Sequence, residues 1–80
     1  MCSVVSARVP EGMDAMIRVM SVLRRKTFQI RDMHLVPSER AGFSDLFITL
    51  EDRGAYSAER AVHFIEKLED VQEIKLIREE

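Results

Sequence analysis

The sequence has few of the residues that usually stabilise or equip a domain of 80 residues. Cys2 is its only cysteine, so no disulfide can form within the chain. One thiol and two histidines are also too few for a zinc-type metal site. A chain of this length buries only roughly 60–65% of its unfolded surface, which leaves a marginal core. We therefore predict one domain, residues 1–80, that gains stability by oligomerising or by docking on a larger partner.

Neither sign of charge dominates, since 12 basic and 14 acidic residues give a net charge of −2. Nucleic-acid-binding proteins normally carry a basic excess, so we expect no nucleic-acid partner. No apolar run approaches the ~20 residues that a membrane span requires. The N-terminal residues also lack the basic region and long apolar stretch of a signal peptide. We expect a cytoplasmic protein with no membrane partner.

Motifs that carry catalysis or nucleotide binding are missing. The three glycines are isolated and form neither a G-x-G-x-x-G motif nor a P-loop. His34 and His63 have no second ligand at metal spacing, and no serine has the sequence context of a nucleophile. The basic run at 24–26 is expected to complement the C-terminus of a helix. We predict no catalytic residue and no metal site.

Hydrophobic periodicity predicts four strands and two helices. Alternation predicts strands over residues 3–9, 28–36, 45–52 and 71–77, with a β-bulge near Arg31 and Asp32 where the apolar parity changes. Helical spacing predicts helices over 13–26 and 57–70, the second capped by Ser57. The order β-α-β-β-α-β predicts an α+β, ferredoxin-like fold, with a four-stranded antiparallel sheet and two helices on one face. The core face predicted for the first helix is Met13, Met16, Ile17, Met20 and Leu23, widened by Val19 and Val22. The core face predicted for the second helix is Ala58, Ala61, Val62, Ile65 and Leu68.

One corner of this predicted fold is suited to binding a ligand. Gly12 lies where the first strand turns into the first helix. Backbone N–H groups exposed at such a helix start can bind a carboxylate. A plain turn is the alternative interpretation, and the residues alone leave both open.

Four short segments follow the order and spacing of one protein family. They are Arg18-Val19, Leu23-Arg24-Arg25, Phe28-Gln29-Ile30 and Ile65-Glu66-Lys67-Leu68-Glu69-Asp70-Val71. They resemble the R-V…R-R-x-[FY]-N-[IV] and Q-[IL]-x-K-L-x-D-V patterns of the small regulatory subunit of acetohydroxyacid (acetolactate) synthase. The resemblance runs from about Ser3 to Leu76 and is to the short class of the family, which lacks a C-terminal domain.

The resemblance implies an ACT domain that is a regulatory subunit and not an enzyme. Such subunits pair as homodimers, often edge to edge, and they bind and activate a large catalytic subunit. Thiamine diphosphate, magnesium and FAD belong to that large subunit, so no cofactor is expected on this chain. The implied pathway is branched-chain amino-acid biosynthesis, in which valine is the usual feedback effector.

The effector loop departs from the family's usual N-x-x-G pattern. An ungapped alignment places Glu11 and Asp14 at the two ends of the loop, with the glycine two residues early, and Gln29 replaces the asparagine of F-N-I. Two carboxylates facing a ligand carboxylate would repel it. We therefore expect weak or absent amino-acid feedback. The effector-binding residues that the resemblance implies are Glu11, Gly12, Met13, Asp14, Gln29 and Ile30.

One alternative stays open, and the composition disfavours a second. The chain would serve as a stand-alone ACT dimer and amino-acid sensor if residues 11–14 of one protomer and Gln29 of its neighbour bound the ligand. An acylphosphatase-like enzyme on the same fold would need an asparagine beside an anion-binding loop, and the sequence contains no asparagine.

Overall fold

The computed structural model describes residues 2–54 and 56–79, with the side chains of Arg78 and Glu79 left out. Neighbouring strands of the sheet are antiparallel and follow the order β2-β3-β1-β4. The two helices pack on one face of the sheet and share one core with it. The predicted ferredoxin-like fold is therefore confirmed. The elements are β1 (Cys2–Pro10), α1 (Asp14–Arg25), β2 (Gln29–Pro37), β3 (Phe43–Glu51), α2 (Ala58–Ile65) and β4 (Gln72–Glu79).

The two central strands supply most of the sheet's share of the core. Along β1 and β3, buried and half-buried residues alternate, as expected for strands with one face on the core. Apolar burial of this kind stabilises the fold by roughly 25 cal/mol per Å². Ser3 and Ser44 are buried on the same face as the aliphatic residues. The buried apolar residues of these two strands are Val5, Ala7, Val9, Leu46, Ile48 and Leu50.

The two edge strands are irregular. The register of β2 against β3 shifts between Ile30 and Asp32, which confirms the predicted bulge and returns Met33 and Leu35 to the core side. The register of β4 against β1 shifts twice, and Glu73 lies near one shift with a φ of +47°. The β4 edge is therefore more interrupted than the β2 edge.

Helix α1 is rotated from the predicted orientation, although Val19 and Leu23 are buried as predicted. Ala15, Val19 and Leu23, at i, i+4 and i+8, are its buried residues. Met13 is 56% exposed and Ile17 is 48% exposed, so their assignment to the core was wrong. The helix begins at Asp14, which makes Met13 the N-cap residue, and the small Ala15 takes the position nearest the sheet in the first turn.

Helix α2 is shorter than predicted. Ser57 caps it, and the amide of Arg60 donates to the Ser57 hydroxyl over 3.4 Å. The helix ends at Ile65, not at residue 70, and residues 66–70 form turns. There the amide of Leu68 donates to the Ile65 carbonyl, an i→i−3 bond that closes the helix, while Leu68 itself still packs on the core.

Candidate functional site

The corner between β1 and α1 takes its shape from Gly12. Its φ is +104°, in the region that favours glycine, and a Cβ built there would meet no atom within 4 Å. The backbone conformation, and not lack of space, therefore requires glycine at this position. This tight turn brings the start of α1 close to the end of β1.

The N-terminus of α1 is open at this corner. Met13 is the N-cap residue and no side chain caps the helix. The first-turn N–H groups of a helix have no partner within it and carry its positive dipole end. Asp14 is the acidic residue of the first turn. The corner therefore has the backbone donors of an anion site together with a negative charge beside them.

A contact with the β2–β3 loop occupies one of the corner's donors. The amide of Glu11 donates to the carbonyl of Gly42 over 3.0 Å. A hydrogen bond within the β2–β3 loop closes the loop, since the amide of Ser38 donates to the Phe43 carbonyl over 3.1 Å. The role of Gly42 could not be predicted, because a contact between two loops far apart in the chain has no local sequence signal. The Glu11 amide is thus not free for a ligand.

The two carboxylates of the corner, those of Glu11 and Asp14, have no described cation beside them. Glu11 and Asp14 are exposed, and no cationic side chain of residues 2–54 and 56–77 lies within 4.0 Å of either carboxylate. Like charges repel even when solvent and salt weaken the effect. A carboxylate ligand would approach the α1 amides against both side chains.

Gln29 and Ile30 lie at the other end of the sheet. Gln29 pairs with Glu51, which pairs with Cys2, whereas Glu11 follows Pro10 at the far end of β1. At about 3.3 Å per residue, this separation is roughly 26 Å along the strands. Within one chain the structure brings residues 11–14 together but does not bring Gln29 and Ile30 to them.

No protein-family model matches the sequence, and no curated protein matches it. Solved structures do: the acetolactate synthase small subunit of Thermotoga maritima superposes with a TM-score of 0.85 and 24% identity over 98% of this chain. The ACT domain of the Chlorobium tepidum GTP pyrophosphokinase superposes with a TM-score of 0.68 and 10% identity over 96% of this chain and 97% of that domain. The chain has the fold of an ACT domain.

A third match shows how widely this fold occurs. The formyltetrahydrofolate deformylase of Pseudomonas putida KT2440 contains it in 29% of its length, with a TM-score of 0.75 and 8% identity over 99% of this chain. The chain spans about half of the Thermotoga small subunit, 48% of its length. These likenesses establish the ACT fold.

The open face of the sheet carries a hollow of about 210 Å³. Arg8 crosses it, with its Nη1 atom 2.6 Å from a carboxylate oxygen of Glu73 and its Nε atom 3.4 Å from one of Asp45. The guanidinium group of Arg8 is thus already paired with two carboxylates. Phe47 and Ile77 form apolar parts of the wall of the hollow. The alternation of the strands places Arg8, Phe47 and Ile77 on this open face, but it does not predict the hollow itself.

Histidines and acidic residues do not form a cluster elsewhere in the described part of the chain. His34 and His63 are exposed, and the Nδ1 atom of His34 lies 3.3 Å from a carboxylate oxygen of Asp32. Among the described side chains of residues 2–54 and 56–77, no three of His, Cys, Asp or Glu form a group that could hold a metal ion. Over the same residues, no helix has the length and apolar character to cross a membrane.

Proposed function

We propose that the chain is a non-catalytic regulatory subunit that binds and activates the catalytic subunit of an acetolactate synthase. The observation that carries this proposal is the superposition on the Thermotoga small subunit over 98% of this chain. The segments that resemble the same family support it independently of the fold, because an ACT fold alone is compatible with many functions.

Several further properties belong to this proposal. The catalytic subunit would hold thiamine diphosphate, magnesium and FAD, and this chain would bind none of them. The complex would act in branched-chain amino-acid biosynthesis in the cytoplasm. A stand-alone amino-acid sensor is the alternative. Co-elution with the catalytic subunit distinguishes the regulatory subunit from the sensor.

We also propose that amino-acid feedback through this chain is weak or absent. The Glu11 amide is bonded to the Gly42 carbonyl, so the corner offers a ligand one donor fewer. The exposed carboxylates of Glu11 and Asp14 oppose an anionic group at the α1 N-terminus. Both effects lower the affinity of the corner for an amino acid.

Self-association through β2 would complete the candidate site. β2 is an edge strand, and an unpaired strand edge is a template for pairing with another chain. If β2 paired antiparallel with β2 of a second copy, Gln29 of that copy would lie beside Pro37, whose row in the sheet continues through Ser44 to Val9. Gln29 and Ile30 would then approach the corner of the neighbouring protomer.

The test is to purify the chain with the large acetolactate synthase subunit from the same source. Co-elution and the rate of acetolactate formation would be measured with and without valine. We expect the two proteins to co-elute, the rate to rise, and valine to leave the rise unchanged. Failure to associate would refute the regulatory assignment, and an activation that valine abolishes would refute the weak feedback.

A charge-removal variant tests the reason for weak feedback. Replacing both carboxylates, by Glu11→Gln and Asp14→Asn, removes the repulsion and keeps side chains of similar size. We expect measurable valine binding by calorimetry in this variant and less heat in the unchanged chain. Glu59→Gln with Glu66→Gln removes two charges from α2 and the turn after it and is the matched control. Equal heats in the corner variant and the unchanged chain would show that the carboxylates do not set the affinity.

A further inference from the structure

Three cations converge on one aromatic ring where the two helices meet. The Lys26 ammonium lies 5.0 Å from the centroid of the Phe64 ring, the Lys67 ammonium 5.7 Å, and the Arg60 guanidinium carbon 5.8 Å. Such distances are within the range of cation–π attraction. Lys26 caps the end of α1, Arg60 lies on α2, and Lys67 follows α2. We call these four residues, with Tyr56, the Phe64 patch.

The cations of the Phe64 patch have no anionic partner in the described part of the chain. Elsewhere Arg8, Arg18 and Arg31 each contact a carboxylate. Among the side chains described, those of residues 2–54 and 56–77, none of the patch cations lies within 4.0 Å of a carboxylate. Three like charges around one ring repel each other, and a bound anion would relieve this repulsion. The patch is therefore a local positive region on a chain whose net charge is −2.

The aromatic part of the patch is held in place by a buried ring. Phe28 is 5% exposed, and it makes edge-to-face contacts with Tyr56, at 5.7 Å between centroids, and with Phe64, at 6.1 Å. Tyr56 remains 40% exposed. Aromatic residues and arginine are both enriched at protein interfaces, and the patch contains both. Binding there would order few additional side chains, since the rings are already fixed.

We propose that the Phe64 patch docks an acidic segment of the catalytic subunit, an inference that rests on the proposed function and names the surface responsible. The patch belongs to the helical layer, so occupying it does not use the hydrogen-bonding edge of β2. Aromatic rings and cations also suit single-stranded nucleic acid. The negative net charge of the chain favours the protein partner, since nucleic-acid binding depends on a positive field.

The test compares two double charge reversals of equal size. Lys26→Glu with Lys67→Glu changes the patch, and Arg40→Glu with Lys75→Glu changes the β2–β3 loop and the open face of the sheet. The Kd for the catalytic subunit would be measured by biolayer interferometry at about 50 and about 300 mM salt, where charge contacts weaken. We expect the patch variant to bind at least about tenfold more weakly and with less salt dependence, and the control within about twofold of the unchanged chain.

Folding is checked separately, because a glutamate at the end of α1 opposes the helix dipole. Lys26→Gln with Lys67→Gln removes the charges without reversing them and is expected to weaken binding by about threefold. Thermal unfolding followed by circular dichroism shows whether each variant is folded.

Each outcome decides the inference. Unchanged affinity in both folded patch variants, or loss in the control alone, would overturn the docking site while leaving the regulatory proposal intact. Failure of the unchanged chain to bind the catalytic subunit would overturn both. Binding of a labelled single-stranded RNA that only the patch variants lose, with unchanged binding to the catalytic subunit, would assign the patch to nucleic acid instead.

Discussion

Asp52, the residue after β3, links β1 to α2 through a single carboxylate. The hydroxyl of Ser3, fully buried on β1, donates to Oδ2 of Asp52, and the amide of Ala58, the first residue of α2, donates to Oδ1 over 2.9 Å. We expect Asp52→Ala to lower the free energy of unfolding by about 2 kcal/mol, because a buried hydroxyl and a helix N-terminal amide both lose their acceptor. Urea denaturation measures this loss.

Ser57→Ala is the matched control for Asp52. It removes the side-chain cap of α2, a 3.4 Å contact with the amide of Arg60, but breaks no bond to β1. We expect a loss of less than about 1 kcal/mol. Equal losses in the two variants would mean that the bond to Ser3 adds nothing to stability.

Glu51 makes the stability of the fold depend on pH. The Arg31 guanidinium, whose Nη1 donates to Oε2 of Glu51 over 2.9 Å, holds the pKa of Glu51 below its usual 4.5, against the opposing effect of partial burial. Because the folded-state pKa is lowered, the stabilisation is present above the usual value and is lost as the pH falls through the lowered one. Glu51→Gln should therefore be less stable than the unchanged chain above about pH 4.5, and this difference should shrink at lower pH.

Urea midpoints between about pH 3 and about pH 6 test the Glu51 prediction, with Arg31→Gln as the reciprocal variant. Both variants should flatten the pH profile, since each removes the same pair. Salt should reduce the difference, because both side chains are accessible to solvent. Profiles parallel to that of the unchanged chain would contradict the prediction.

Helix α1 ends in a motif whose left-handed position is occupied by a residue poorly suited to that backbone conformation. The amide of Phe28 donates to the Leu23 carbonyl over 3.0 Å, and the amide of Thr27 to the Arg24 carbonyl over 2.9 Å, which is a Schellman motif. Thr27 has a φ of +65°. This left-handed position usually belongs to glycine and is strained for a β-branched residue.

We expect Thr27→Gly to raise the free energy of unfolding by about 0.5–1 kcal/mol. Relief of the left-handed strain, about 1–2 kcal/mol, exceeds the added flexibility of glycine in the unfolded chain. Thr27→Ala is the control, because it keeps the Cβ and should gain less. A destabilised glycine variant would show that the bond from the Thr27 hydroxyl to the Lys26 carbonyl, 2.6 Å long, outweighs the strain.

At the scale of elements, the sequence predicted the strands better than the helix faces. Strict alternation placed Leu46, Ile48 and Leu50 on the core, and the change of parity near Asp32 located the bulge. In α1, almost every apolar side chain fits some helical face, so periodicity could not select Ala15 over Met13. The rotation of that helix depends on how closely it approaches the sheet, which no single segment encodes.

At the scale of the whole molecule, the candidate site was only partly predictable. The turn at Gly12 has a local sequence signal, and in the structure its φ is +104°. The roles of residues 11–14, Gln29 and Ile30 in binding an effector stay a prediction, as does the single domain over residues 1–80. The Phe64 patch could not be predicted, because Lys26 and Lys67 meet only where α1 packs against α2. The sequence suggested only a helix end for Lys26.

The two edges of the sheet are not equivalent, and this difference predicts how two copies associate. Val36 on β2 is 41% exposed and Ile77 on β4 is 52% exposed, so each edge has one exposed apolar residue to replace. Two register shifts interrupt β4, and such irregularities discourage strand pairing. β2 has a single shift and therefore offers the longer regular edge.

We expect Val36→Lys to weaken self-association at least about tenfold, because an edge lysine places a charge where a second copy would pair. Ile77→Lys adds the same charge to the β4 edge and should leave the dimer within about twofold. Sedimentation velocity over a range of concentrations measures both. Weaker association in the Ile77 variant alone would move the contact to β4 or the open face. A monomeric unchanged chain would refute the dimer, and Gln29 could then not reach residues 11–14, since within one chain they stand at opposite ends of the sheet.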